Sequence, residues 1–181
     1  MTIKTAQDVL DFWFSVATEA DWFAKSDEFD RRIAQDFGDT YEAAHRRELD
    51  GWMETPQGAL ALVIALDQFP RNMFRGSGRS FESNDLALEH ARAAVEAGYD
   101  RQVDPTQRQF FYLPFMHSED LPDQTRSVEL YEALGNESSL QYAIAHRDIV
   151  ERFGRFPHRN AALDRPSTPD EAEFLKTHSG F

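Results

Sequence analysis

The sequence contains no cysteine. That removes disulfides, thiol catalysis and cysteine-based zinc or iron–sulfur sites, and it fits a reducing cytoplasm. Long apolar runs are missing too. The longest, ALALVIAL at 59–66, is far short of the ~20 residues a membrane helix needs. The opening MTIKTAQDVLDFWF carries acids inside its apolar stretch and lacks a small-residue cleavage site, so it does not read as a secretory signal. Cations are the minority, 19 Lys and Arg against 32 Asp and Glu, for a net charge of −13. Such a chain is poorly suited to nucleic acid or an anionic membrane as its main partner. There is no strand-like alternation, phosphate-cradling glycine loop, dinucleotide fingerprint or GxSxG elbow. The two glycines of RGSGRS at 75–80 follow no strand and read as a flexible basic loop. No motif implies a cofactor.

What is present is aromatic mass and helical period. Fifteen Phe, five Tyr and three Trp in 181 residues are far more than a disordered chain carries, and the length suits one well-cored domain. The expectation is a single all-α domain over 1–181, with about eight helices joined by short loops in an antiparallel array. Thr5 caps a first helix over 6–15, with Val9, Leu10, Trp13 and Phe14 on one side. A second begins after Ser26 and shows Phe29, Ile33, Phe37, Tyr41 and Ala44 as its stripe. Thr55-Pro56 opens a third that is apolar all round and should be the buried centre. Ser83 caps a fourth, Asp104-Pro105 opens a fifth that Pro114 interrupts, and Ser118 caps a sixth closing at Gly135. The seventh spans 138–153 and stops at Gly154 in a left-handed conformation. Thr168-Pro169-Asp170-Glu171 is a capping-box start for the last. Trp13, Trp22 and Trp52 read as core and interhelix packing.

Polar groups in apolar places are the functional signal. Asp67 shares a face with Leu60, Val63 and Ile64, so its carboxylate lies on the buried side at a helix C-terminus, where the dipole disfavours it. It needs a cation or donors, and Arg71 and Arg75 come within the next eight residues. His146 sits on the apolar stripe with Ala143, Val150 and Phe153, a turn or two before the arginine-rich GRFPHR. His117 and Glu119 lie in FFYLPFMHSED at 110–120. His117-x-Glu119 with His146 and His158 could supply nitrogen and oxygen ligands, but no HExxH pattern is present, and no metal is assigned. The positive charge is concentrated: residues 69–79 hold Arg71, Arg75 and Arg79 without an acid, and 146–165 hold five Arg against three acids.

Four stretches resemble the signatures of the bacterial domain-of-unknown-function 924 family: VLDFWF (9–14), LDQFPRN (66–72), FYLPFMHSED (111–120) and FGRFPHRN (153–160). STPDEAEFL (167–175) resembles the family's usual ending, and the likeness covers essentially the whole chain. The resemblance implies a tetratricopeptide-like all-α superhelix in a cytoplasmic, single-domain protein. It carries no catalytic role with it.

Three functions are compatible with these residues. In the first, Asp67, His117, Glu119 and His146 would do acid–base work in one pocket. Gln68, Arg71, Asn72, Arg75, Arg155, His158, Arg159 and Asn160 would bind a small carboxylate or phosphate there. The ends of the third and seventh helices would then face each other across that pocket. In the second, the fold is a scaffold receiving an acidic peptide or partner protein. In the third, the motifs are fold determinants only, with ion pairs specifying how helices end and cross.

Overall fold

The computed structural model describes residues 2–23 and 25–181. The described residues form helices and turns without a strand. The α-helices are α1 Ala6–Asp11, α2 Glu19–Phe23, α3 Asp27–His45, α4 Pro56–Asp67, α5 Phe69–Met73, α6 Asn84–Glu96, α7 Pro105–His117, α8 Leu121–Leu134, α9 Glu137–Phe153 and α10 Pro169–Phe174. Their lengths, from 5 to 19 residues, keep to no fixed period. Two compact units divide the chain: one holds everything up to Arg75 together with Arg79–Pro114, the other Gly76–Gly78 with Phe115–Phe181. The body of α7 belongs to the first unit and its last turn to the second.

In the first unit α4 is the centre, packing on α1, α3 and α6. Every residue from Gly58 to Asp67 is buried, as the unbroken apolar run predicts. Thr55 accepts the Gly58 N–H and Pro56 opens the first turn. Thr5 and Asp8 form a reciprocal capping box for α1. The helix then widens into a π turn over Phe12–Val16 that seats Phe12 and Trp13 in the core. Trp13 lies among Trp22, Phe29, Phe69 and Phe110, with ring centroids 5.8–6.3 Å away. In the second unit α8 packs on α9, and Ile149, Val150 and Phe156 form a core with Phe153 and Phe174 against it.

A close approach at Gly58 gives a prediction whose sign runs against helix propensity. A Cβ there would lie 2.2 Å from the Trp52 carbonyl oxygen. Gly58→Ala gains ~1 kcal/mol of propensity, yet overpacking against a backbone atom typically costs more. Urea unfolding should show a net loss of about 1–2 kcal/mol, and a stabilised variant would contradict the contact.

Several local expectations change. There are ten α-helices among the described residues rather than about eight, because α2 and α5 are short helices of their own. Pro70 does not merely stop α4. With its φ preset and no N–H to satisfy, it sits in the first turn of α5, and Pro157 likewise opens a 3₁₀ turn at Pro157–Arg159. Pro114 does not interrupt α7, which runs through it to His117. An internal proline costs ~3 kcal/mol, but Phe110, Phe111, Tyr112, Leu113, Phe115 and Met116 are all buried, at roughly 1.5–3 kcal/mol each. Ser83 makes no capping bond, and its hydroxyl donates instead to the Leu66 carbonyl at 2.6 Å, satisfying the end of α4. Asp120, not Ser118, stands before α8. Ser118 donates to Asp123 at 2.8 Å. Gln124 completes the join by donating to the Met116 and Ser118 carbonyls at 2.7 and 2.6 Å.

Candidate functional site

The sequence-predicted residues fall into two groups, one in each unit. In the first unit Asp67 is 1% exposed. It accepts from Gln68 Nε2 at 2.5 Å, and an Arg71 Nη lies 3.4 Å away. The same guanidinium donates to the Ser80 carbonyl and the Asn84 side chain, each at 3.0 Å. Arg75, expected beside Asp67, instead forks onto Asp30 of α3 at 2.8 and 2.9 Å, with Asn72 donating to the same carboxylate at 2.8 Å. Burial alone would raise the Asp30 carboxyl, but Arg75 and Asn72 outweigh it and hold it below its ordinary value. These groups tie the end of α4 and the turn of α5 to α3 and α6. Their donors are engaged within the chain.

In the second unit two arginine–carboxylate forks surround the FGRFPHRN turn. Arg155 reaches Glu171 at 2.6 and 2.8 Å. Glu171 also accepts from the Thr168 N–H at 2.7 Å and from Asn160 at 3.3 Å. With Arg155 as the main cause, its carboxyl is held down to about 2 despite burial. Arg165 forks onto Glu119 at 2.6 and 2.9 Å, and the Phe156 N–H donates to Glu119 at 2.8 Å. Burial opposes ionisation of Glu119, but these donors and Arg159 nearby keep it below the usual range. Arg165 further donates to Asn160 Oδ1 at 3.0 Å. The sequence reading missed Arg165 as the partner of Glu119. It reads Glu171 only as a cap, although Glu171 accepts from Arg155, Thr168 and Asn160.

The second feature of this unit is a nest of histidine and aromatic rings. His146, on α9, is 6% exposed. Its Nδ1 lies 2.7 Å from the Tyr142 carbonyl oxygen, one helical turn back. A carbonyl only accepts, so Nδ1 carries the proton and the neutral ring presents Nε2 as an acceptor. Burial is the chief reason that its pKa falls to about 3, with His117, Arg159 and His158 adding repulsion. His117 lies 6.4 Å from it between ring centroids and Phe156 5.5 Å edge-on. His158 is 5.6 Å from Phe156 and 6.3 Å from His178. Burial, then Arg159, lowers His158 to about 4. Arg159 lies 4.4 Å over the Phe156 ring and donates to the His117 carbonyl at 2.9 Å. Among the described residues, His158 Nδ1 and His178 Nε2 are buried without a hydrogen-bond partner.

Phe181 completes the nest, stacked on His146 with centroids 3.6 Å apart at 18°. Neither His178 nor Phe181 was singled out from sequence; both come after α10 in a segment with no periodic pattern. Among the described residues no three His, Asp or Glu side chains are grouped to hold a metal ion, and no helix is long and apolar enough to cross a membrane.

An all-helical chain whose motifs knot helix ends together, with a ring nest beside one knot, defines a class without a declared chemistry. Comparison with known proteins makes that concrete. Residues 9–179 match the model of a family described as bacterial protein of unknown function (DUF924), and the chain belongs to that family. It is similar to a solved structure, the protein of unknown function ATU0120 from Agrobacterium tumefaciens. The two share 46% identity with a TM-score of 0.92, over 96% of this chain and 97% of that one. No curated protein matches.

Proposed function

We propose that the second unit binds a small anionic molecule at the ring nest, with His146 Nε2 as an acceptor and Arg159 as the cationic group. The observation that carries this reading is the fixed tautomer of a buried, neutral His146 beside Arg159 and two histidine nitrogens left without partners. Buried polar atoms are nearly always satisfied, and a cluster of exceptions calls for a ligand or ordered solvent to meet them. Recognition fits better than proton abstraction, because an imidazole lowered to about 3 is a weak base at neutral pH. The negative charge of the ligand meets Arg159, and an N–H or O–H donor on it would add a bond to Nε2. Asp67, Gln68, Arg71, Asn72 and Arg75 read as fold determinants in this view, because their partners lie within the chain.

Thermal shift with acetate, glycolate, benzoate and inorganic phosphate tests it. A ligand at 100 times its Kd stabilises by about 2.7 kcal/mol, a rise of several degrees. The rise should appear for at least one probe, be larger for glycolate than for acetate, and vanish in Arg159→Gln. A flat response to all four, or a rise that survives Arg159→Gln, would count against the site.

A further inference from the structure

The nest contains a clue to the shape of its ligand. Phe181 lies face-on to His146 and meets three more rings edge-on: His178 at 4.9 Å and 71°, His158 at 6.2 Å and 80°, and Tyr142 at 6.4 Å and 71°. One stacked partner with edge-on neighbours is the geometry in which aromatic quadrupoles attract. The backbone is shaped to deliver the ring. Gly180 holds φ +118, a conformation that side-chain-bearing residues rarely adopt, and a Cβ there would come within 3.3 Å of the His158 ring. Phe181 is nonetheless 53% exposed. It can therefore leave without opening the core, which Ile149, Val150 and Phe156 form.

We infer that the face of His146 is a slot for a planar aromatic ring, that Phe181 fills it as an internal stand-in, and that the ligand is an aromatic acid whose ring displaces Phe181. This rests on the anion-binding reading above and narrows it to ring-bearing acids. The slot suits a flat, uncharged ring because His146 offers a neutral π face, while the negative group falls to Arg159. An internal competitor lowers apparent affinity by the fraction of time the slot is filled, so removing it should tighten binding of the ring and of nothing else.

The experiment compares benzoate with acetate on the full chain, the parent against Phe181→Ala, by titration with NMR detection of the histidine C2–H signals. Phe181→Ala alone should shift the His146 signal by loss of the stacked ring's current, and Gly180→Ala should move it the same way. Benzoate should bind Phe181→Ala about tenfold more tightly than the parent, whereas acetate should bind both alike. An unmoved His146 signal in Phe181→Ala would overturn the stack, and equal benzoate affinity in both proteins would overturn the slot. If acetate still binds through Arg159 in that second case, the anion site stands and only the aromatic preference falls. If benzoate tightens in Phe181→Ala and keeps its affinity when Arg159→Gln is added, the slot stands and the anion reading falls. If neither probe binds either protein, both readings fail.

Discussion

Between pH 7 and pH 4 the protein should lose roughly 3 kcal/mol of stability through His146 alone. The ring is neutral in the fold, where burial lowers its pKa from 6.5 to about 3. In the unfolded chain it regains its ordinary value. Above about pH 6.5 both states are unprotonated and the residue contributes no pH dependence. Below that the unfolded state binds the proton and the folded state does not, so stability falls by ~1.4 kcal/mol per pH unit until the folded ring titrates near pH 3. His158, lowered to about 4, adds a loss of the same sign over a narrower window. His146→Phe isolates the effect: its ring keeps the packing among Phe156 and Phe181, and the Tyr142 carbonyl it abandons stays within helix α9. Urea midpoints at pH 7, 5.5 and 4 should fall steeply for the parent and more gently for the variant. An NMR midpoint for His146 above pH 5, or equal slopes for the two proteins, would refute the buried neutral ring.

That result bears on function as well as stability. A histidine placed where it weakens the fold in acid is costly to retain if packing were its only task. A phenylalanine would fill the same stripe of α9, beside Ala143 and Val150, without the penalty. The Nδ1–H bond to Tyr142 orients the ring, which suits the acceptor role proposed for Nε2.

The helices were legible in sequence because their signals are local. Thr5, Ser26, Thr55 and Thr168 each cap the helix that begins at the next residue, Gly135 and Gly154 end helices at positive φ, and the run at 59–66 could only be central. The buried faces of Asp67 and His146 came from helical spacing alone. Pairing was not legible, because it is set by which helices meet. Arg75 reaches back 45 residues to Asp30, and Glu119 reaches forward 46 to Arg165, distances no periodicity encodes. His178 and Phe181 escaped for a related reason. They lie in a segment without a periodic pattern, and only the fold shows Phe181 beyond Gly180 on His146 of α9 and His178 beside His158.

Glu171→Ala should lower stability by about 2–3 kcal/mol at pH 7, because a buried carboxylate is lost that satisfies a half-buried guanidinium, a backbone N–H and an amide. Glu171 is 2% exposed and serves three tasks at once: the α10 capping box with Thr168, the fork to Arg155, and an acceptor for Asn160. Glu171→Gln separates them. Its amide oxygen can still accept the Thr168 N–H, but it offers Arg155 no charge, so the loss should be intermediate. The acid limb has a definite sign. A carboxyl held down to about 2 contributes fully above its unfolded value near 4.5, and that contribution drains away as pH falls from there towards 2. This limb starts lower than that of His146 and overlaps it only below about pH 4.5, so a pH series reads His146 without Glu171 between about pH 6.5 and 4.5. The same fork limits what Arg155 can offer a ligand. An external anion would have to displace a carboxylate of the same chain, already fixed by a backbone N–H and by Asn160. Arg155→Gln should accordingly lower the melting temperature while leaving acetate affinity unchanged, the opposite of the pattern expected at Arg159. A parallel loss of acetate binding in Arg155→Gln would move the anion site from the ring nest to the Glu171 knot.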